Sequence, residues 1–354
     1  MLYLLPYELI VAIAEYCDQK TRKSLSLVSR RLCNPSQRVI FKTMNIPRST
    51  LETIVPGFAV WDSGGHFLEM IQDDSLLSYI QTFIMSNSLR RLEMGTMELL
   101  FTALHRMRPL RDIKLFDIRF TTTMLDRLCE VLSTRPYTVE LRYCVYPADY
   151  TLQRATLKIH RLWLESKSTS GAPRPAMSKL LVAIIERSLF SITIFTLSSC
   201  LGLLVSVGTM PRLTSLNIRS KSPENGEGLR KFLVANPQIV EFTLDGTYCD
   251  LSLLPPSALP NLRAIRVIAE LVLHLLQGRP VVKVEIDKSS GFESTVDGLL
   301  ALSRSATPIV DLTLHPPYRL TCLCQILGAV VETVPHLERI WLSFHSEVRG
   351  ILHF

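Results

Sequence analysis

The sequence predicts an α/β chain: a short amino-terminal module of three helices, followed by a curved solenoid of strand–helix repeats with a parallel inner sheet. Three observations carry this. A phrase built on proline and three spaced apolar residues recurs along the chain. Its copies fall about 25 residues apart, the period of a stacked repeat. Residues 1–46 lack the phrase and carry helical periodicity instead.

Leu5-Pro6 opens the helical module, where a proline early in a helix removes only an N–H that has no partner. Leu9, Ile10, Ile13 and Cys17 follow at helical spacing. Asp18 breaks the run and is placed to cap a second helix, about Thr21 to Ser29, through Thr21. Leu25, Leu27 and Val28 lie on that helix. Leu27 and Val28 are adjacent and point different ways, so they are expected to divide between core and interface. A third helical run spans Asn34 to Met44 with Val39, Ile40 and Phe41. Residues 47–86 read as a connecting or capping segment.

The repeats occupy residues 87–354. Four copies share the same offsets: Pro211-Leu213-Leu216-Ile218, Pro237-Ile239-Phe242-Leu244, Pro260-Leu262-Ile265-Val267 and Pro335-Leu337-Ile340-Leu342. Shifted variants start at Pro109, Pro280 (with Val282) and Pro308 (with Val310), and proline-free lines occur around Leu92, Val139, Leu162 and Phe195. That makes about eleven units, centred on Leu92, Ile113, Val139, Leu162, Phe195, Leu216, Phe242, Ile265, Val284, Leu312 and Ile340. An insertion near 166–178 explains the one long step, because residues 167–175 have loop composition.

Alternation in each short strand turns one set of side chains inward and the next outward. Helical runs such as Met124–Leu132 and Leu320–Val331 return the chain to a parallel strand, and the proline stops the returning helix. One unit cannot bury its apolar face alone, so units stack. The residue between the two apolar strand positions faces the concave side: Glu93, Lys114, Trp163, Asn217, Thr243, Arg266, Glu285, Thr313 and Trp341. Lys114, Trp163, Arg266, Glu285 and Trp341 are the candidates for target contact, since Trp and Arg anchors dominate interfaces. The stretch 343–354 is the competing cover for Trp341. A doubly wound α/β domain is the alternative architecture, but no glycine-rich phosphate loop follows a first strand.

Hydrophobic residues make up 47% and charged residues 20% of the 354, which excludes a disordered chain. The formal net charge of +7 comes from interleaved acids and bases, so nucleic acid is an unfavoured partner. The basic cluster Arg90, Arg91, Arg106, Arg108, Arg111, Lys114 and Arg119 reads as a solvated or partner-facing surface. No charge interrupts residues 188–210, yet its hydroxyl and β-branched content favours a buried strand plus helix over a membrane span. The eight cysteines lie mostly in apolar runs, which points to a reducing, intracellular compartment, cytoplasmic or nuclear. Gly64-Gly65 lacks the rest of a phosphate loop, the histidines are scattered, and Cys322 and Cys324 stand in an apolar helical run. Neither a catalytic centre, a cofactor nor a metal site is expected.

Two resemblances sharpen this. The repeats resemble the leucine-rich repeat family in a degenerate form without its asparagine ladder. Residues 3–46 resemble the F-box motif closely: Leu5-Pro6-Tyr7-Glu8-Leu9-Ile10, then Tyr16-Cys17-Asp18, then Ser24-Leu25-Ser26-Leu27-Val28-Ser29-Arg30-Arg31-Leu32, then Val39-Ile40-Phe41. Cys17 and the basic Thr21-Arg22-Lys23 depart from the family pattern. The resemblance implies a non-enzymatic substrate receptor that binds the Skp adaptor of a cullin ubiquitin ligase, the repeats recruiting a protein target. By position it implies adaptor contacts from Leu5, Pro6, Leu9, Ile10, Ile13, Leu25, Leu27 and Val28. The other reading is a leucine-rich scaffold without a ligase, its first helices acting only as a cap.

Overall fold

The computed structural model describes residues 5–46, 59–60, 72–86, 94–147, 150–152, 156–166, 175–198, 203–219, 226–245, 249–287, 292–315 and 320–343. The fold is α/β: amino-terminal helices, then a parallel-sheet solenoid of strand–helix repeats. The chain divides into two compact units, 1–163 with 174–191, and 164–173 with 192–354.

The first unit opens with α1 (Tyr7–Tyr16), α2 (Gln19–Val28) and α3 (Arg30–Ile40). Asp18 caps α2 as its sequence position suggests, accepting from the Thr21 N–H at 2.7 Å. Arg22 donates to the carbonyls of Ala14 at 2.7 Å and Glu15 at 2.8 Å, so one of the unusual basic residues closes the carboxyl end of α1. The expected third helix, 34–44, is displaced. Ser29 caps it early by accepting from the Leu32 N–H, and the chain then leaves the helix as strand β1 (Thr43–Ile46).

Strands β1, β2 (Ala59–Val60), β3 (Thr82–Ser86), β4 (Asp112–Phe116) and β5 (Tyr137–Arg142) lie parallel in the order β2-β1-β3-β4-β5. Next in the chain comes β6 (Ile159–Glu165). Helices α4 (Asp74–Leu77), α5 (Met94–Leu104), α6 (Thr122–Thr134) and α7 (Pro175–Ser188) belong to the same unit. The sheet therefore starts inside the expected helical and connecting segments. Phe83, in register with Met44 and Ile113, takes the first repeat position assigned to Leu92, which lies outside the described residues with Glu93, Arg90 and Arg91. Most of the expected insertion also lies outside them, and its last residues begin α7.

The second unit carries β7 (Ile194–Ser198), β8 (Ser215–Arg219), β9 (Glu241–Asp245), β10 (Ala264–Ile268), β11 (Lys283–Asp287), β12 (Asp311–Leu314) and β13 (Arg339–Leu342). Phe195, Leu216, Phe242, Ile265, Val284, Leu312 and Ile340 are successive cross-strand partners, as the repeat phrase requires. In the shifted variants the buried residue is Val281 or Ile309, one place after the proline, and not Val282 or Val310 as the phrase predicts. Helices α8 (Leu203–Ser206), α9 (Gly226–Ala235), α10 (Ala269–Leu276), α11 (Phe292–Leu300) and α12 (Leu320–Thr333) alternate with the strands except between β9 and β10, where the described residues hold turns and no helix. The uncharged run 188–210 forms β7 and the short α8. Among the described residues no helix is long and apolar enough to cross a membrane.

Three polar or small residues hold the return turns together. Asn236 is buried, accepts from the Met210 N–H at 2.7 Å and donates to Phe232 O at 2.8 Å, tying the turn before β9 to the turn before β8. Arg279 follows Gly278, whose φ of +73° ends α10. Its buried guanidinium donates to the carbonyls of Ala258 at 2.7 Å, His274 at 2.7 Å and Pro255 at 2.8 Å. Burial lowers its pKa from the ordinary value. Gly298 lets α11 meet α10: a Cβ there would stand 2.9 Å from Ala269 Cβ and 3.0 Å from its carbonyl oxygen.

Burial pushes the Cys144 thiol up to about 12 and the Cys129 thiol up to about 11. Few thiolates form at mildly alkaline pH, so neither should be alkylated in the native state. Cys324 is exposed and should react first among the described cysteines. Peptide mapping after iodoacetamide treatment, with and without urea, checks this order; rapid native labelling of Cys144 contradicts it.

Candidate functional site

Two surfaces of the first unit and one of the second contain the expected contact residues. On the helical module, Ile10 and Ala14 of α1 are buried with Leu32, Val39 and Ile40 of α3. Ile10 is thus a core residue and is not available for docking in this chain. No residue of α2 is buried. Leu27 is 86% exposed and Val28 69%, so the expected division of this pair between core and interface is not found. The helix ends at Val28, and Ser29 is extended, which leaves both side chains outside the module. Leu9 and Ile13, one turn apart on α1, are exposed, as are Pro6 and Tyr16 (94%). Leu5 and Leu25 are part-covered. The module therefore leaves Leu9, Ile13, Tyr16, Leu27 and Val28 exposed around a small core.

The open face of the first unit brings Lys114 and Trp163 together through two residues, Glu140 and Arg142, that are not in the expected column. Lys114 is in register with Glu140, and its Nζ lies 3.6 Å from Glu140 Oε2. Glu140 is buried and also pairs with Arg142. The Arg142 guanidinium lies 3.8 Å above the Trp163 ring and 5.4 Å from the Phe116 ring. Trp163 is part-covered, roofed by a cation held in place by a carboxylate. The signal for Glu140 was present, since it stands between Val139 and Leu141.

In the second unit, Arg266, Glu285, Thr313 and Trp341 occupy one register row across β10 to β13. Arg266 donates to Asp287 Oδ2 at 3.1 Å from Nη2 and lies 3.4 Å from Glu285 Oε1. His315 Nε2 lies 3.0 Å from the same Glu285 oxygen. Desolvation opposes the Arg266 charge, but Asp287, Glu285 and Asp245 outweigh it and hold the pKa above the ordinary value. Arg266 thus directs its charge at Glu285 and Asp287, and Glu285 faces Arg266 and His315. Trp341 differs: it is 62% exposed, and the stretch 344–354 expected to compete for it lies outside the described residues. Arg106, in the basic cluster, pairs with Asp74 at 2.6 Å. Among the described residues no group of three or more His, Cys, Asp or Glu is placed to hold a metal.

No protein-family model matches the sequence, and no curated protein matches it. Among solved structures, the leucine-rich repeat-containing protein LegL7 from Legionella pneumophila aligns with a TM-score of 0.44 at 15% identity. The alignment covers 75% of this chain and 84% of that one.

Proposed function

We propose that this protein is a non-enzymatic substrate receptor, its amino-terminal helices docking on the Skp adaptor of a cullin ubiquitin ligase and its leucine-rich-type repeats holding a protein target. One observation carries the reading: α2 buries none of its residues, while Leu9, Ile13, Leu27 and Val28 stand exposed on a module that resembles an F-box. Covering an apolar side chain of this size contributes about 1.5–3 kcal/mol, so a partner seated there gains several such terms. Of the other residues in the docking set, Pro6 is exposed and Leu5 and Leu25 are part-covered. The target side of the scheme is the open face of each unit taken separately, with Lys114 and Trp163 as contacts on the first and Arg266, Glu285 and Trp341 on the second. The chain would act by raising the target's effective concentration beside a conjugating enzyme.

Co-purification with a recombinant Skp adaptor tests it. Wild type should be retained, and Leu27→Asp should weaken binding at least about tenfold, the effect of losing one buried anchor. Because Leu27 touches no core, the circular dichroism and melting temperature should not change. A folded wild type that fails to bind would leave a repeat scaffold without a ligase.

A further inference from the structure

The outer edge of the last described strand is self-complementary. β13 lies at the end of the sheet, pairing only with β12 among the described residues. The Arg339 N–H donates to Val310 O at 3.0 Å and the Ser343 N–H to Leu314 O at 2.9 Å. In a parallel ladder alternate residues bond to the same neighbour, so Ile340 and Leu342 turn their N–H and C=O groups outward. An unpaired edge of this kind is a template for another strand. Its side chains are also uncovered: Trp341 is exposed on the open face, and Ile340, a core position in every earlier repeat of this unit, is 39% exposed.

We propose that β13 pairs with β13 of a second copy of this chain, antiparallel, about a two-fold axis through Trp341. That register places each copy's Ile340 opposite the other's Leu342, and the two pairs exchange the outward N–H and C=O groups. The two Trp341 rings meet at the narrow, non-hydrogen-bonded position, where Cα atoms approach to about 4.5 Å. Aromatic pairs suit that position. On the helical side apolar meets apolar, continuing the core across the axis. No like charges oppose each other, because Arg339 faces the second copy's Ser343 and is already held by Asp311 of its own chain at 3.2 Å. A foreign strand would need this pattern by chance, whereas β13 supplies its own complement. Pairing occupies Trp341, so in the dimer target contact on this unit falls to Arg266 and Glu285 and Trp341 serves the target only in the free chain. The contact does not depend on adaptor docking.

Analytical ultracentrifugation of the full chain tests the pairing. Wild type should sediment as a dimer at micromolar concentration. Trp341→Lys sets two cations opposite each other, and Leu342→Pro removes an outward N–H without touching the β12 ladder. Either should raise the dimer dissociation constant at least about tenfold, while Trp341→Phe retains the dimer. Amide exchange at Ile340 and Leu342 should slow as protein concentration rises. A wild type that stays monomeric, or a dimer that both disruptive variants leave intact, overturns the proposal. So does protection of those two amides at every concentration, which would place a segment of the same chain on the edge.

Discussion

Replacing Arg279 by Met should cost the second unit more stability than any surface change, about 3 kcal/mol, because three carbonyls lose a charged donor at once. Among the described residues only that of Pro255 keeps a backbone partner, the Ala258 N–H at 2.9 Å. Ala258, His274 and Pro255 each accept from this one guanidinium. An unsatisfied buried carbonyl costs about 1–3 kcal/mol, and relief from burying the cation returns part of that sum. Arg279→Lys should recover only part of the loss, since one ammonium cannot span a fork aimed at three acceptors. For a unit of this size, a loss of about 3 kcal/mol corresponds to a fall of roughly 6–12 °C in melting temperature. Calorimetry of wild type, Arg279→Met and Arg279→Lys gives the ranking; a neutral Met variant shows that the carbonyls find other donors.

Gly298→Val should follow closely, with a loss of about 2–3 kcal/mol from overpacking. The first added carbon already lies 2.9 Å from Ala269 Cβ and 3.1 Å from Ala269 Cα. Those atoms belong to the first residue of α10 and cannot swing away like a flexible side chain. Gly298→Ala sets this contact against a gain of up to ~1 kcal/mol in helix propensity, so its loss should be about half that of valine. Urea unfolding midpoints at unchanged slope would measure both. A Gly298→Ala variant more stable than wild type would mean that α11 moves away from α10 readily.

The repeats were legible because their signal is local and redundant. Pro211, Pro237, Pro260 and Pro335 each stop a helix, and the apolar spacing after them forces one register. That is why Leu216, Phe242, Ile265 and Ile340 pair as expected. Phe83 escaped because Phe83-Ile84-Met85 is one unbroken apolar run, in which only the folded chain shows that the first and last are buried and the middle residue part-covered. Asp18 was legible as a cap because its reach is three residues. Ile10 was misplaced because spacing along α1 shows which residues share a face, but α3 decides which face is covered. Arg279 could not be read at all: arginine is ordinarily a surface residue, and only the fold reveals three carbonyls converging on its side chain. The Arg142 roof over Trp163 was equally hidden, since it depends on neighbouring strands meeting in register.

The sequential ladder of the second unit has a kinetic consequence. Each strand pairs with those beside it in the chain, so every loop that must close is about 25 residues long. Closing such loops costs little more for the last strand than for the first, because the entropy grows only with the logarithm of loop length. Folding can then advance strand by strand behind the ribosome, each newly made unit docking on a finished template. A chain interrupted after β10 would already hold a native platform, and its next strand would have only one place to go.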